Sequence, residues 1–228
     1  MVLIPKSHSE WLEARSKGLG ASEAASVLGM SKWKTNVELW EEKTGLRKPE
    51  DISHKPYVQY GHDAEPHLRA LFALDHPELE VTYESPYKMI VSDELPVRFA
   101  TPDGELREKT PRHMPGHPVP IPDRRGGLEI KTTEIMNPRQ WADWKDRIPQ
   151  QYYCQVCHQM LATGWDFVWL RAQIKWTTKE GDRRLDIRDY HIEREDVLDD
   201  IEALREEAIK FWHDVKTGKR PALKLPEI

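Results

Sequence analysis

GLEIKT, residues 127–132, alternates apolar with charged or polar residues. Such alternation predicts a β-strand, because successive side chains of a strand point to opposite faces of the sheet. Residues two apart share a face, so Glu129 and Lys131 are expected on the same side. Upstream, TPDG at 101–104 places Asp103 directly after another predicted strand. The two stretches together have the form PD…ExK.

The chemistry of this pattern depends on where Asp103 lies. If Asp103 ends a strand that neighbours GLEIKT, its carboxylate and that of Glu129 can bind one divalent cation, and hard oxygen ligands suit Mg²⁺ or Mn²⁺. The metal polarises a phosphoryl oxygen and generates hydroxide, while a second ion stabilises the leaving 3′ oxygen. Lys131 positions or deprotonates the attacking water, or offsets transition-state charge. An ordinary turn followed by an exposed strand has the same pattern, so the motif alone does not decide.

Two other polar residues occupy apolar helix faces. Glu65 shares its predicted face with Leu68 and Phe72, three and seven residues on, and therefore looks toward the core. A buried carboxylate needs a partner, and the sequence leaves open a metal ion or a buried Arg or Lys. Gln155, with Tyr152 one turn earlier, is placed to hydrogen-bond a catalytic lysine or a phosphate, or to cap a strand edge.

The remaining patterns predict a helical first third, then strands interrupted by one helix, then a C-terminal helix. Helices are predicted at 7–17, at a short segment between Ser22 and Gly29, at Thr35–Lys43, at His62–Leu74, at 149–163 and at about 194–215. The first begins with a Ser7–Glu10 capping box, and the second is capped by Ser22 and ended by Gly29. In the helix His62–Leu74, the apolar residues Leu68, Leu71 and Phe72 lie on one stripe. Predicted strands are 79–83, 87–91, 97–101, 127–132, 165–177 and 184–192. The proline-rich segment Lys109–Gly127 is predicted to be a loop.

The order of elements predicts an α/β (α+β) fold with a central mixed sheet flanked by helices. With no internal repeat and no Gly- or Ser-rich linker, residues 1–228 are expected to form one domain. Its parts are a helical N-terminal region at about 7–75, a catalytic sheet with helices at about 79–192, and the C-terminal helix.

Composition excludes several classes of protein. The net charge of −5 counts mildly against a simple electrostatic DNA binder, but the acidic segment 193–207 carries much of the excess. Two cysteines exclude a disulfide framework or a four-cysteine iron–sulfur cluster, and the CxxCH pattern at 154–158 lies in mid-helix. No apolar run reaches the ~18 residues of a membrane helix. Without a signal peptide, the expected location is the cytoplasm.

Several segments, taken in order, resemble the family of phage lambda exonuclease and the YqaJ-type viral recombinases, within the PD-(D/E)xK nuclease superfamily. The segments are Arg15 with GASEAASVLG at 20–29, YGHDAEPHLRALF at 60–72, TPDG, GLEIKT and YYCQVCHQMLATG at 152–164. The resemblance spans about residues 9–164 and implies a PD-(D/E)xK, restriction-endonuclease-like core. The ordered set is far more specific than any one motif.

The resemblance implies a role for each matching residue of the catalytic motif. Asp103 and Glu129 are implied to bind Mg²⁺, with Mn²⁺ as an alternative and two ions in the site, and the Ile130 carbonyl is implied as a further ligand. Glu65 resembles the acid at the second metal position, and Lys131 resembles the catalytic lysine. The remaining implied members of the catalytic set are the supporting pair Tyr152 and Gln155.

A 5′-phosphate pocket is implied upstream. Arg15 and Ser22 resemble this pocket, and Thr101 stands where the family can use a serine. A serine at a helix N-terminus offers its hydroxyl and free N–H groups to an anion, although an N-cap with a surface arginine is the simpler interpretation. Trp33, in the lysine-flanked loop SKWKT at 31–35, is a candidate to wedge or stack on the DNA end. The basic tail 216–224 contacts phosphates or is merely solvated.

The function implied by the resemblance is 5′→3′ degradation of one strand of duplex DNA bearing a 5′-phosphate. The products are mononucleotides and a 3′ single strand, on which a partner annealing protein loads. The resemblance also implies a ring-shaped homotrimer that threads DNA. Two alternatives remain: an endonuclease of restriction or repair type, and a non-catalytic DNA-binding scaffold. The scaffold would be expected to have lost an acid or the lysine.

Overall fold

The computed structural model describes residues 1–94, 98–109 and 124–225. The helices are α1 (His8–Ser16), α2 (Ala24–Leu28), α3 (Asn36–Lys43), α4 (Pro56–Asp75), α5 (Pro138–Asp143), α6 (Gln150–Thr163) and α7 (Leu198–Thr217). The strands are β1 (Val2–Leu3), β2 (Leu19–Gly20), β3 (Leu79–Thr82), β4 (Met89–Val91), β5 (Arg98–Ala100), β6 (Gly104–Glu108), β7 (Arg125–Ile135), β8 (Phe167–Thr177) and β9 (Arg183–Glu193). None of the helices in these ranges is long and apolar enough to cross a membrane.

A five-stranded mixed sheet carries the GLEIKT strand at its centre. The strand order is β3-β6-β7-β8-β9, and only the β7–β8 pair is parallel. A parallel pair needs a long crossover connection, and α5 and α6 supply it between β7 and β8. The register places Glu129 opposite Leu170 and Lys131 opposite Ala172.

A second sheet was not predicted. Its order is β1-β4-β5-β2, so the predicted strand at 97–101 does not belong to the central sheet. The mixed α+β class with a central mixed sheet flanked by helices is confirmed, and the second sheet is an addition to it. The short strands of the second sheet reach across the chain, as in the parallel pairing of Leu19 with Arg98. Sequence periodicity carries no information on such pairings.

The predicted cap at Ser7 is confirmed, but the full capping box is not, because the Glu10 carboxylate accepts the Lys6 N–H at 2.8 Å and not that of Ser7. The Ser7 hydroxyl accepts the N–H of Glu10 at 3.2 Å and begins α1. The Thr35 hydroxyl accepts the N–H of Glu38 at 3.2 Å and begins α3. Gly29 ends α2 in the left-handed conformation, with φ of 77°, as its position predicts.

The prediction that Ser22 caps a helix is wrong. Ser22 lies inside the 3₁₀ turn Ala21–Glu23, and α2 begins after it. The turn is closed by the Glu23 carboxylate, which accepts the Gly20 N–H at 2.9 Å. The Ser22 hydroxyl is therefore not committed to a capping bond.

Helix α4 is longer than the predicted 62–74, because Pro56 at its first turn favours an earlier start. Leu68 and Phe72 are buried as predicted. Leu71 is 37% exposed, so its place on the buried stripe was predicted wrongly. The buried face of α4 is therefore narrow, because Leu71, the neighbour of Phe72 in the sequence, is already in contact with solvent.

The predicted loop Lys109–Gly127 is only partly open to comparison, since residues 110–123 lie outside the described residues. Its last residues are wrongly assigned, because β7 begins at Arg125. A Cβ at Gly126 would overlap the ring of Phe167, and one at Gly127 would overlap Trp165. These close approaches require glycine within the strand.

Helix α6 is buried along most of its length, and its ends match the predicted 149–163. Val156 and Met160 are fully buried and pack in one apolar cluster with Leu170 of β8 and Leu204 of α7. The helix lies against both sheets. It therefore holds the strand that carries Glu129 in a fixed position relative to the second sheet.

The basic tail is tied down at Lys224, whereas Lys216, Lys219 and Arg220 are exposed. The Lys224 ammonium donates to the Val27 carbonyl at 3.0 Å and to Glu207 at 2.5 Å. Its backbone N–H donates to the buried Asn36 side chain at 2.9 Å. Lys224 is thus engaged within the chain and is not free for phosphates.

Candidate functional site

Most of the predicted site residues line one cavity of about 600 Å³. Those at its surface are Arg15, Ser22, Glu65, Thr101, Asp103, Glu129, Ile130, Lys131 and Gln155. Tyr152 and Trp33 do not line it. The cavity lies between α1, α4 and the exposed end of the β6–β7 pair, so segments distant in sequence meet there.

Asp103 immediately precedes β6 and lies beside β7. Its backbone N–H donates to the Leu128 carbonyl at 3.0 Å, and its carboxylate accepts the Ile130 N–H at 2.7 Å. The pairing of β6 with β7 places Gly104 opposite Leu128. The PD and ExK elements are therefore adjacent, but Asp103 precedes the neighbouring strand β6 and does not end it, because the strand before Asp103, β5, belongs to the second sheet.

Glu129 is buried, and three side chains donate to its carboxylate. Lys131 and Gln155 donate to Oε1, Gln155 at 2.6 Å, and Gln159 donates to Oε2. Gln155 therefore donates to the carboxylate of Glu129 and also lines the cavity. Gln159 was missed, although its position one turn after Gln155 places both on one helix face.

Tyr152 supports the site from beneath the lysine. The Lys131 ammonium lies 5.1 Å from the centre of the Tyr152 ring, within the range of a cation–π contact. Trp33 is 70% exposed, and its ring centre is 6.3 Å from that of Tyr152. Trp33 thus stands outside the cavity, one aromatic ring removed from Lys131.

Glu65 reaches the cavity from α4, and its partner is Arg69, one turn later. Of the two partners that the sequence left open, the described residues place the arginine. Arg69 also donates to the Asp103 carbonyl, and its guanidinium lies 3.5 Å from the Tyr83 ring centre. Arg69 was missed, although its i+4 spacing from Glu65 is the usual signal for a helical ion pair.

The three carboxylates of the cavity repel one another. Burial and the charges of Glu129 and Glu65 raise the pKa of Asp103 well above its usual range, despite Lys131 and the Ile130 N–H. Burial raises the pKa of Glu65 as well, with Glu129 adding to it and Arg69 opposing it. Burial alone would lower the pKa of Lys131, but Glu129 and Asp103 outweigh it and the net shift is upward. Negative charge therefore exceeds what the local cations neutralise.

Within residues 1–94, 98–109 and 124–225, no three His, Cys, Asp or Glu side chains are already grouped to hold a metal ion. The carboxylates are turned to protein donors instead: Glu65 to Arg69, Asp103 to the Ile130 N–H, and Glu129 to its three donors. The oxygen donors suit a hard divalent cation, and the repulsion between them would be relieved by one. Cation binding requires exchange of some of these contacts.

Arg15 lies in an aromatic and acidic cradle at the other end of the cavity. Its guanidinium is 4.8 Å from the Trp11 ring and 5.9 Å from the Phe99 ring, and it is 3.8 Å from Glu23. It donates to the Ser22 hydroxyl at 3.1 Å. Arginine and serine are thus brought together, although Ser22 is not the N-cap that was predicted. The aromatic support was missed, because Phe99 comes from a distant strand.

Thr101 adds a free hydroxyl to this end. Its oxygen is buried and has no hydrogen-bond partner among the described residues. An unsatisfied buried hydroxyl is costly, typically by about 1–3 kcal/mol. A bound ligand with a polar group would satisfy it.

Comparison with known proteins places the fold among exonucleases of solved structure. An alkaline exonuclease, LHK-Exo from Laribacter hongkongensis, superposes with a TM-score of 0.63 at 22% identity, covering 92% of this chain and 94% of that one. The same enzyme in complex with dAMP gives 0.61. A phage-related exonuclease from Haemophilus somnus 129PT gives 0.52 at 13% identity, over 88% and 96% of the two chains.

Residues 10–166 match the YqaJ-like viral recombinase domain, and the chain belongs to that family. The uncharacterized protein YqaJ of Bacillus subtilis (strain 168) is 29% identical over an alignment of 236 residues that takes in 95% of this chain. This chain spans 59% of the length of that relative. The family resemblance drawn from the motifs is confirmed.

Proposed function

We propose that this protein is a metal-dependent nuclease that degrades one strand of duplex DNA from its 5′ end, releasing mononucleotides. One observation carries the proposal: a single cavity joins the acids Asp103, Glu129 and Glu65 and the ammonium of Lys131 to the Arg15–Ser22 pair. An acidic end with a partly buried lysine suits cation-assisted cleavage of a phosphodiester. A guanidinium with hydroxyls suits a terminal phosphate.

The cation would be held by Asp103, Glu129, Glu65 and the Ile130 carbonyl. Mg²⁺, or Mn²⁺ in its place, fits this set because all the donors are hard oxygens and because the carboxylates repel one another without it. When bound, in one or two ions, it supplies a polarised phosphoryl group and an activated water.

The chain's own residues perform the positioning. Lys131 is expected to act as an ammonium that stabilises transition-state charge, since its neighbours favour the protonated form. Tyr152 fixes the lysine from below, and Gln155 holds Glu129. The proposal therefore assigns Lys131 the role of stabiliser and not that of general base.

The 5′-phosphate is proposed to bind Arg15, Ser22 and Thr101. Arg15 is held by Trp11 and Phe99, so little side-chain entropy is lost when it binds an anion. The unpartnered Thr101 hydroxyl lines the same cavity. Trp33 is proposed to contact the strand end outside the cavity.

The wider assembly follows from family membership alone. We propose a homotrimeric ring around the duplex, action in the cytoplasm, and transfer of the 3′ single strand to an annealing protein. Sedimentation analysis tests the trimer: a monomer at concentrations where digestion is processive contradicts it.

The activity is tested on two DNA substrates of identical sequence, a linear duplex with 5′-phosphates and a covalently closed circle. The linear duplex, labelled at either the 5′ or the 3′ terminus, should lose its 5′ label first and yield mononucleotides only when Mg²⁺ is present. Lys131→Met should abolish digestion, whereas the control Lys88→Met should not, since Lys88 pairs with Glu84 and Glu105 away from the cavity. Cleavage of the circle would instead indicate an endonuclease.

A further inference from the structure

Gln159 is a buried polar residue that does not line the cavity. It lies on α6, fully shielded from solvent, and its amide nitrogen donates to Oε2 of Glu129. Gln155, one turn earlier, donates to Oε1 of the same carboxylate at 2.6 Å. Two glutamines of one helix face therefore grip the two oxygens of one acid.

A count of lone pairs shows which acceptor positions of the Glu129 carboxylate remain free among the described donors. An ionised carboxylate has about four acceptor positions, two on each oxygen. On Glu129, Oε1 accepts from both Lys131 and Gln155, whereas Oε2 accepts only from Gln159. Among the described donors, Oε2 is thus the oxygen with a remaining position.

The amide of Gln159 is not explained by packing alone. Its own carbonyl oxygen is buried and has no partner in the described part of the chain. An apolar side chain of similar shape would remove that unsatisfied oxygen, but it would leave Oε2 of the buried Glu129 carboxylate without its donor. The polar contact that Gln159 does make is the one to Glu129.

We propose that Gln159 is a positioning residue that fixes Oε2 of Glu129, so that the remaining lone pair of this oxygen is presented to a divalent cation. The inference rests on the proposed function, since it presupposes that Glu129 is a metal ligand. Gln159 acts through the carboxylate and touches neither the cation nor the DNA. Removal of a residue that orients a metal ligand in this way commonly weakens metal binding by about 10–100-fold, and we expect a loss of about that size for Gln159.

The test measures Mn²⁺ binding without DNA, by calorimetry and by the electron paramagnetic resonance signal of free Mn²⁺. Gln159→Met, shown by circular dichroism to be folded, should bind Mn²⁺ about 10–100-fold more weakly than wild type. Its digestion of DNA should fall at limiting Mg²⁺ and recover at saturating Mg²⁺. The control Gln151→Met changes a glutamine of the same helix that lines a different cavity, and should bind Mn²⁺ as wild type does.

Gln159→Asn supplies a second variant if the methionine variant does not fold. It keeps the amide but withdraws it by about 1.5 Å, one carbon–carbon bond, and should weaken binding likewise. Wild-type affinity in whichever of the two variants folds overturns the positioning role. Failure of the proposed function is recognised separately, because wild type would then bind Mn²⁺ no better than Asp103→Ala.

Discussion

His158 makes the stability of this fold sensitive to mild acid. It is 1% exposed, its Nε2–H donates to the Leu19 carbonyl at 3.1 Å, and its Nδ1 has no partner among the described residues. Burial, and next the charge of Arg98, lower its pKa to about 4, with Glu23 opposing the shift and Lys43 adding to it. A proton on His158 would therefore enter a site with no acceptor for it.

The magnitude follows from the difference between the folded and unfolded pKa values. An unfolded histidine titrates near ~6.5. Because the folded pKa is lower, the contribution of His158 to stability is fully present above that value and is lost as pH falls toward 4. Each unit within this window costs about 1.4 kcal/mol, so a change from pH 7 to pH 5 costs about 2 kcal/mol. For a chain of this length that corresponds to roughly 4–8 °C in Tm.

The assay compares wild type with His158→Gln by thermal and urea unfolding at pH 7 and pH 5. Glutamine keeps a donor for the Leu19 carbonyl but does not titrate. Other groups titrate equally in both proteins, so only the difference between them is used. That difference should move by about 2 kcal/mol in favour of the variant at pH 5. A difference that is the same at pH 7 and at pH 5 refutes the reasoning.

Three further predictions concern the strand, the phosphate cradle and the DNA end. Gly127→Ala should destabilise the fold by about 1–3 kcal/mol, because its methyl group overlaps the Trp165 ring; an unchanged unfolding midpoint contradicts this. Arg15→Met should reduce the preference for 5′-phosphate over 5′-hydroxyl ends by about 10-fold or more, and Arg188→Met, another arginine over an aromatic ring, should preserve it. Trp33→Ala should weaken binding of DNA ends in gel-shift assays, and unchanged binding would remove Trp33 from the interface.

The sequence was informative where local periodicity and chemistry coincide. The two-residue period of GLEIKT correctly puts Glu129 and Lys131 on one side of β7. Asp103 lies beside β7 as expected, but it precedes the neighbouring strand and does not end it. Strand β6 was not predicted, because its buried glycine and leucine are masked by the charged residues of GELRE. Local pattern therefore identified the acids but not the strand that joins them.

The remaining features depend on contacts between distant segments. The second sheet pairs Leu19 with Arg98, and no pattern within either short strand reports that neighbour. The sequence could not distinguish between a metal ion and an arginine as the partner of Glu65, because either one compensates the charge of a carboxylate on a core-facing position. The structure shows Arg69 donating to it. Gln159 was missed for a similar reason, since its contact with Glu129 depends on which strand packs beneath α6, and the sequence does not show that.

The central claim is that the carboxylates and lysine of the cavity cleave DNA with the help of a divalent cation. It is tested most directly by Mg²⁺-dependent digestion of a 5′-phosphorylated linear duplex by wild type, Asp103→Ala and Lys131→Ala, each shown to be folded by circular dichroism. Wild type should release mononucleotides, and both variants should be slower by at least about 100-fold. Equal digestion by all three proteins, or digestion by wild type in excess chelator, contradicts the claim.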